Sequence, residues 1–374
     1  MSYNLNKIKV NESERIYFPE LDGLRFFAFL LVFVHHQSNF AKIPFLSILS
    51  SNGWIGVDLF FILSAFLFTK LLIAEFEKTK TINLKKFYIR RVFRIWPIYF
   101  LFIGFSIAIY FFTNNIFSNY IVIRIIGLFT FSDNIMTALY GYNPLPYLAH
   151  LWSITYEEQF YLFIPIVILS LVQSSHRKKI TFLISIYLLF SAIRFSLITI
   201  KLSNQAIWVL PVTHFESILF GIIIGFGGLD FLFKKISALV LGIVGVLLLV
   251  LVYYLPNSNM VSYWLIIHYS CVGISTSMFL FAVLNSNYLK LFFSYGLFVF
   301  LGKRSYGLYL YHLFGNAFAI YLIKHISILP STYLASFCYS LFFTISVSIV
   351  SYKLIETPFL TMKKKFEIVI SRPI

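Results

Sequence analysis

Two histidines stand near the end of the first apolar run, where ionisable side chains are unusual. The run begins near Asp22 and Arg25 and ends near His35 and His36. Eleven residues separate Arg25 from His36, about three helical turns, so both side chains share one helix face, about 16 Å apart. A neutral imidazole takes a proton from a hydroxyl near neutral pH. His36 is a candidate general base; the alternative is a histidine that only marks an interface.

A pair of carboxylates, Glu157 and Glu158, stands at the start of another apolar run. On a face exposed to lipid they would be costly, because charged groups are expensive inside a bilayer. One interpretation is structural, with the pair facing a loop or an arginine. The other is chemical, since a carboxylate beside a histidine fixes its tautomer and stabilises the imidazolium.

A basic stripe precedes the third apolar run. Lys86, Arg90 and Arg94 recur every four residues, and Arg91 lies beside them, so they follow one side of a helix. Such a stripe suits an interfacial helix on anionic lipid. It also suits a clamp for a polyanionic ligand, because arginine forks match phosphate oxygens.

Further polar residues lie inside apolar runs. Ser305 and His312 are seven residues apart, which places them on one helix face. Tyr306 belongs to a tyrosine-rich segment that could form an interface belt. Asp58, near the start of the second run, is a candidate partner for a cation, and Asp22 is a further candidate polar contact.

These residues need apolar helices to position them, and the composition predicts such helices. The chain has 374 residues, 59% hydrophobic and 12% charged, whereas soluble domains carry about a quarter charged residues. A membrane span needs about 20 mostly apolar residues as a helix. The sequence therefore predicts an all-α integral membrane protein, a polytopic bundle of about ten transmembrane helices. The predicted spans are 22–40, 54–74, 95–113, 152–173, 180–200, 206–229, 236–255, 261–284, 305–326 and 331–353.

The basic residues indicate an orientation rather than nucleic-acid binding. The net charge is +16, but Lys and Arg gather in alternate short loops, which is the positive-inside bias. We expect one membrane domain over 1–374, with a cytoplasmic segment 1–21, a bundle 22–353 and a cytoplasmic tail 354–374. Two short apolar segments, 121–131 and 289–302, are expected to be re-entrant or interfacial.

The glycines and cysteines give less information about the function. Gly221 and Gly225 form a pair four apart that predicts close helix packing. The two cysteines, Cys271 and Cys338, lie in apolar runs and suggest neither a disulfide framework nor a metal site. We therefore expect no metal and no permanently bound cofactor.

Taken in order, the motifs resemble the acyltransferase-3 family of membrane acyltransferases, and they cover nearly the whole chain. Any one motif is weak evidence, but six in sequence order are specific. They are Asp22-Gly23-Leu24-Arg25 with His36, Gly56 to Ser64, Arg90 to Pro97, Trp152-Ser153-Ile154 leading to Glu157 to Tyr161, Ser305 to His312, and Ile355-Glu356-Thr357-Pro358.

The resemblance implies a function and roles for several residues. Family members typically take an acyl group, usually acetyl, from cytosolic acyl-CoA and place it on a hydroxyl of a bacterial envelope glycan. It implies that His36 is the essential histidine and that Arg90, Arg91 and Arg94 hold the donor. On this interpretation Glu157 or Glu158 orients His36, and Arg25 contacts the donor or holds the cavity together. His36 then acts as general base or as a transient acyl carrier.

The resemblance also implies partners and a location. The partners are acyl-CoA as co-substrate, a glycan or lipid-linked glycan acceptor and membrane lipids, in the bacterial cytoplasmic membrane. The acceptor and the oligomeric state stay open. A transporter or flippase for a lipid-linked glycan is the alternative, since buried charges also suit carriers.

Three positions depart from the family pattern. Ala65 stands where glycine is usual, and His214 and Glu216 stand where an arginine and an aspartate are more frequent. These changes bear on acceptor details rather than on the class.

Overall fold

The computed structural model describes residues 15–37, 44–114, 118–254, 262–326, 330, 332–371 and 373. All regular structure in these residues is helical, without a β-strand, which confirms the predicted all-α class. In chain order the helices are α1 (Pro19–His35), α2 (Pro44–Asn52), α3 (Ile55–Thr79), α4 (Leu84–Asn114), α5 (Asn119–Phe129), α6 (Asp133–Tyr140), α7 (Trp152–Val172), α8 (His176–Thr199), α9 (Asn204–Val209), α10 (Glu216–Gly225), α11 (Asp230–Phe233), α12 (Ala238–Tyr254), α13 (Trp264–Asn285), α14 (Asn287–Phe293), α15 (Gly296–Lys303), α16 (Ser305–His325), α17 (Tyr333–Ser351), a π-helical turn (Tyr352–Glu356) and α18 (Thr357–Lys364).

Among the described residues, six helical segments are long and apolar enough to cross a bilayer, namely α3, α4, α7, α8, α13 and the run from α17 to α18. The protein is therefore a multi-pass membrane protein. The other four predicted spans correspond to α1, the α9–α10 pair, α12 and α16, which length and composition do not establish. Predicted residues 38–40, 255, 261 and 331 at the span ends lie outside the described residues, as do residues 1–14 of the N-terminal segment and residues 372 and 374 of the tail.

Helix α3 lies at the centre of the bundle. Of the six candidate spans it is the most enclosed, because 67% of the residues in its 18-residue apolar stretch are buried inside the protein. It packs against α1, α7, α10 and α13. A Cβ atom on Gly221 would lie 2.6 Å from the Ile62 carbonyl oxygen, and one on Gly225 would lie 2.5 Å from Thr69 Cβ. The predicted close packing at this glycine pair is confirmed.

The predicted span 206–229 is interrupted, which corrects the expectation of one continuous helix. It divides into α9 and α10, with a non-helical segment at 210–215. Pro211 lacks the N–H that a continuous helix needs. Backbone carbonyls beside the interruption accept hydrogen bonds from side chains. The Thr213 hydroxyl donates to the Ile207 carbonyl (2.6 Å), and the Arg194 guanidinium donates to the Thr213 carbonyl (2.8 Å). Irregular backbone is tolerated at membrane depth because such partners satisfy it.

The basic stripe and the predicted third span, 95–113, lie on one continuous helix. Helix α4 runs for 31 residues with Pro97 inside it, so Lys86, Arg90 and Arg94 occupy its first three turns. The helix therefore begins about three turns before the predicted span. As a result the orientation of α4 against α3 decides which cation faces the interior.

The two short apolar segments are packed elements. In α5, Arg124 is fully buried and its Nη2 lies 2.9 Å from Asp133 Oδ1. Helices α14 and α15 hold α1 closely: a Cβ atom on Gly302 would lie 1.7 Å from the Asp22 carbonyl oxygen, and one on Gly23 would lie 1.9 Å from that of Phe293. Only glycine permits these approaches, and they fix the end of α1 that carries Asp22 and Arg25.

Candidate active site

A deep cavity, called here the basic cavity, opens between α1, α3, α4, α7 and α16. Its space, counted out to its open mouth, is about 1350 Å³. Along α3 its lining extends from Val57 to Leu71, a rise of 14 residues or about 21 Å. Its walls include the predicted site residues Asp22, Arg25, Arg91, Arg94, Glu157, Ser305 and Tyr306.

Cations gather at the Phe68 end of the basic cavity. The Arg91 guanidinium lies 4.5 Å from the Phe68 ring centroid, and its Nε has no hydrogen-bond partner among the described residues. Arg94 lies 3.8 Å from Glu356, and Lys363 lies 3.2 Å from Glu367. These three cations make this end a site for an anion with several charges.

Arg90 is placed differently from the other two predicted donor cations. Its Nη2 lies 3.1 Å from Glu75 Oε2, and its Nη1 donates to the Phe366 carbonyl at 2.9 Å. Successive helix positions differ by about 100°, so Arg90 points away when Arg91 faces the cavity. Its predicted donor role remains a prediction, and its observed contacts join α4 to α3 and to the C-terminal segment.

The adjacent carboxylates separate in the same way. Glu157 faces the cavity, where it accepts hydrogen bonds from Ser64 Oγ (2.5 Å) and from the Tyr161 hydroxyl. Glu158 turns toward Trp96 Nε1 at 3.4 Å. The expectation that one of them orients His36 does not match the structure, because His312 occupies that position.

The inner end of the basic cavity is closed by a hydroxyl pair. Ser153 Oγ and the Tyr309 hydroxyl are 2.5 Å apart, and the Tyr309 ring lies against Phe60 with centroids 5.7 Å apart. Both residues line the cavity. Tyr309 therefore separates the cavity from the residues behind it.

Behind Tyr309 lie three imidazoles, called here the histidine cluster: His36, His150 and His312. Ring centroids are 4.8 Å apart for His36 and His312 and 4.6 Å apart for His150 and His312. His150 and His312 are buried. Desolvation by burial, with a smaller effect of His36, lowers the pKa of His150 to about 3, so this ring is neutral at neutral pH. No group of three or more His, Cys, Asp or Glu among the described residues is placed to hold a metal ion.

The hydrogen bonds assign the tautomer of His36. His312 Nδ1 lies 2.6 Å from the Tyr309 carbonyl oxygen; a carbonyl only accepts, so this nitrogen carries the hydrogen and His312 Nε2 is an acceptor. His36 Nδ1 lies 3.3 Å from that acceptor and 2.9 Å from the Val32 carbonyl oxygen. His36 Nδ1 therefore carries a hydrogen, and its Nε2 keeps a lone pair for chemistry.

An amide network supports the backbone at His36. Asn316, one turn after His312 on α16, donates to the His36 carbonyl at 3.3 Å. Its Oδ1 accepts from Gln37 Nε2 (2.6 Å) and from Ser340 Oγ (2.5 Å). Helices α1, α16 and α17 thus jointly fix the end of α1 that presents His36.

Asp58 belongs to a different buried network. Its Oδ1 accepts from Ser217 Oγ at 2.6 Å and lies 3.0 Å from His214 Nε2; the predicted role of Asp58 as partner of a cation stays a prediction. Arg194 and Glu216 form a second buried pair at 2.5 Å. Two of the positions that depart from the family pattern, His214 and Glu216, therefore have buried acidic or basic partners.

The remaining predicted residues have structural contacts at the cavity wall. Asp22 accepts from the Tyr17 hydroxyl at 2.9 Å and lies 3.4 Å from Arg25. The Tyr306 hydroxyl donates to the Ile95 carbonyl at 3.2 Å, and Ser305 is buried.

Sequence reasoning missed Lys363, His150 and Tyr309 as site residues. Lys363 follows the last predicted span and reads as one more tail lysine. His150 precedes α7 and shows no spacing relation to His36. Tyr309 is three residues before His312, so it shares a face of α16 with that residue, and this spacing was the available signal.

Comparisons with known proteins show which family and which relatives this chain resembles. A family model described as an acyltransferase domain matches residues 18–353. The chain is 29% identical over 368 residues to "Putative O-acetyltransferase SACOL0978" of Staphylococcus aureus strain COL, covering 92% of this chain and 57% of that protein. It is 28% identical over 368 residues to O-acetyltransferase OatA of S. aureus strain NCTC 8325 / PS 47, covering 91% and 57%. The chain spans little more than half the length of these relatives. No solved structure matches it.

Proposed function

The chain belongs to the acyltransferase-3 family, and from this premise we propose that it transfers an acetyl group from cytosolic acyl-CoA to a hydroxyl of a cell-envelope carbohydrate. The observation that carries the proposal is the basic cavity, with cations at one end and Tyr309 and the histidine cluster at the other. The name of the relatives, O-acetyltransferase, supports acetyl as the group. O-antigen, capsule and exopolysaccharide are the acceptor classes to test.

The donor binds with its phosphates at the cationic end. Arg91, Arg94 and Lys363 all face the cavity, and a coenzyme A phosphate makes charge-assisted hydrogen bonds with such groups. Binding exchanges the long Arg94–Glu356 contact of 3.8 Å for a shorter one to phosphate. The apolar wall along α3 then leads the thioester toward Tyr309.

The chemistry takes place at His36 Nε2. In the direct route this nitrogen removes the proton of the acceptor hydroxyl, whose oxygen bonds to the thioester carbonyl carbon; the C–S bond breaks, and the proton passes to the departing thiolate. In the relay route, Nε2 bonds to the thioester carbonyl carbon, the C–S bond breaks, and the departing thiolate takes up the proton that the acylated ring loses from Nδ1. The acceptor oxygen then bonds to the acetyl carbon, the C–N bond breaks, and the hydroxyl proton restores the imidazole. Both routes require the Tyr309–Ser153 contact to open.

Orientation supports this order of events. With both chain ends in the cytoplasm and ten spans, the basic cavity opens to the compartment that contains acyl-CoA. The described ends of the chain, residues 15–18 and 366–373, lie on the same side, because the Ile16 N–H donates to the Ile370 carbonyl at 3.0 Å. The histidine cluster then lies toward the compartment of the envelope glycan.

The test is calorimetric binding of acetyl-CoA to the purified full chain. We expect binding by the wild type, loss of at least 10-fold with Arg91→Ala plus Arg94→Ala, and near-normal binding with His36→Ala. The matched control is Lys85→Ala plus Lys86→Ala, which removes two exposed cations from the same helix. Absence of wild-type binding would overturn the proposal.

One feature favours a second candidate, a carrier for a lipid-linked glycan. The α9–α10 segment is interrupted, and such discontinuous helices bind substrates in transporters. Acyl-CoA hydrolysis or acetyl transfer by the purified protein separates the two, because a carrier performs neither reaction.

A further inference from the structure

A second concavity, called here the apolar groove, lies between α8, α10 and α13. Its space, counted out to its open side, is about 1070 Å³. It shares no lining residue with the basic cavity. Its walls are mostly aliphatic and aromatic, and they include Leu183, Ile184, Phe220, Ile223, Phe226 and Ile274.

The groove exists because the first half of α8 stands away from the bundle. In this helix the fully buried residues are Leu183, Arg194 and Ile198, and two of the three lie in its second half. In α8 only 11% of the residues in the 18-residue apolar stretch are buried inside the protein. A gap between apolar walls loses dispersion contacts unless it is filled. In a bilayer the available filling is a hydrocarbon chain.

The two ends of the groove differ chemically. At one end are His176 and Lys179, and Lys179 Nζ lies 4.7 Å from the Phe226 ring centroid. At the other end the Tyr187 hydroxyl and Ser270 Oγ, 2.8 Å apart, close the space. Lys179 and Tyr187 are eight residues apart on α8, about 12 Å. The groove thus has the form of a short apolar slot with a cationic entrance.

The cationic entrance lies at the same end of the bundle as the cations of the basic cavity. Gly225 packs against Thr69 of α3, and the neighbouring Phe226 contacts Lys179. Thr69 follows Phe68, the residue beneath Arg91. The entrance therefore lies at the level of Arg91 along α3, at the same end of the bundle.

We propose that the apolar groove binds one acyl chain of an anionic phospholipid, with its phosphate held by Lys179 and His176. The positive charge of Lys179 at the entrance favours a headgroup with net negative charge over a zwitterionic one. The acyl chain occupies the slot as far as Tyr187 and Ser270. This site stands independently of the proposed function.

The experiment is native mass spectrometry of the full chain titrated with phosphatidylglycerol or phosphatidylcholine. We expect one tightly retained phosphatidylglycerol, with affinity at least about 5-fold above that for phosphatidylcholine. His176→Ala plus Lys179→Ala should remove this preference. Ile184→Trp, at a groove position that is 52% exposed, should fill the slot and reduce the retention of both lipids.

The matched control is Lys178→Ala, which removes an exposed cation that does not line the groove and should leave retention unchanged. Equal retention of the two lipids by the wild type would overturn the proposal. So would an equal effect of Lys178→Ala and Lys179→Ala, because the attraction would then be a general property of the basic surface. Melting temperatures of the variants show whether they are folded, and the exposed Ile184 site provides a test if the double variant is unstable.

Discussion

The basic cavity and the histidine cluster meet at Tyr309, and they treat ionisable groups in opposite ways. In the cavity two of the three cations face a carboxylate: Arg94 faces Glu356 at 3.8 Å, and Lys363 faces Glu367 at 3.2 Å, while Arg91 lies over the Phe68 ring. In the cluster the hydrogen bonds of His36 and His312 are to carbonyl oxygens and to each other. The basic cavity thus contains charged groups, two of them paired with carboxylates, whereas the histidine cluster contains neutral rings.

The difference follows from desolvation. An isolated charge inside a membrane protein is expensive, so cations are kept near an opening and near carboxylates. A neutral imidazole is cheaper to bury once one nitrogen donates to a carbonyl. The arrangement separates donor binding, which needs charge, from proton transfer or acyl relay, which needs an unprotonated nitrogen.

The largest expected effect comes from removing the reactive nitrogen. His36→Ala should lower acetyl transfer by about 10²–10⁴-fold, the usual contribution of a general base, with acetyl-CoA affinity changed by less than about 2-fold. Transfer rates at saturating donor, with binding measured separately, check this. The matched control is the adjacent His35→Ala, whose Nδ1 contacts the Ser50 carbonyl at 2.7 Å; it should keep most of the activity. Full activity in His36→Ala would exclude the assigned role.

A smaller effect should follow from removing the partner of His36. His312→Leu takes away one of the two acceptors of the His36 Nδ1 hydrogen and leaves only the Val32 carbonyl on the same helix. We expect a loss of about 10–100-fold in kcat with little change in KM for the donor, because the ring is then held by α1 alone. His312→Gln, whose amide oxygen can accept the same hydrogen, should recover part of the rate. A loss that Gln does not recover at all, or one that appears only in KM, would contradict the positioning role.

Helix periodicity explains which parts of this site were predictable. The eleven-residue spacing from Arg25 to His36 and the seven-residue spacing from Ser305 to His312 each place two residues on one helix face. The pair Glu157 and Glu158 is identified by residue type, as carboxylates in an apolar run, because adjacent positions do not share a face. The all-α class follows from the composition alone. The positions of Arg91 and Glu157 in the cavity are consistent with those motifs.

Other parts depend on tertiary packing and were not predictable from spacing. The choice of Arg91 rather than Arg90 for the cavity depends on the rotation of α4 against α3. The contact of His150 with His312 requires a loop to meet α16. At the break at 210–215 Pro211 is a local signal, but the partner that satisfies the Thr213 carbonyl is Arg194 on another helix. Each outcome is a long-range contact, which local sequence patterns do not contain.

The cavity itself can be tested at a residue that sequence reasoning missed. Lys363→Ala should weaken acetyl-CoA binding by about 10-fold, the equivalent of about 1.4 kcal/mol, because one charge-assisted contact to phosphate is lost. Lys364→Ala removes an exposed neighbour and serves as the control. Calorimetry measures both. Equal affinities for the two variants would place the donor phosphates elsewhere in the cavity.

The smallest expected effect distinguishes the two regions without a mutation. Raising the ionic strength from about 50 mM to about 500 mM shortens the Debye length to a few ångströms. The KM for acyl-CoA should therefore rise by about 3–10-fold, because donor binding relies on cations near an opening. The value of kcat at saturating donor should change by less than about 2-fold, since the chemical step uses neutral rings behind Tyr309. Initial rates over a range of donor concentrations at both salt levels give the two constants. A parallel fall of kcat would show that charge also governs the histidine cluster, and the contrast between the regions would not hold.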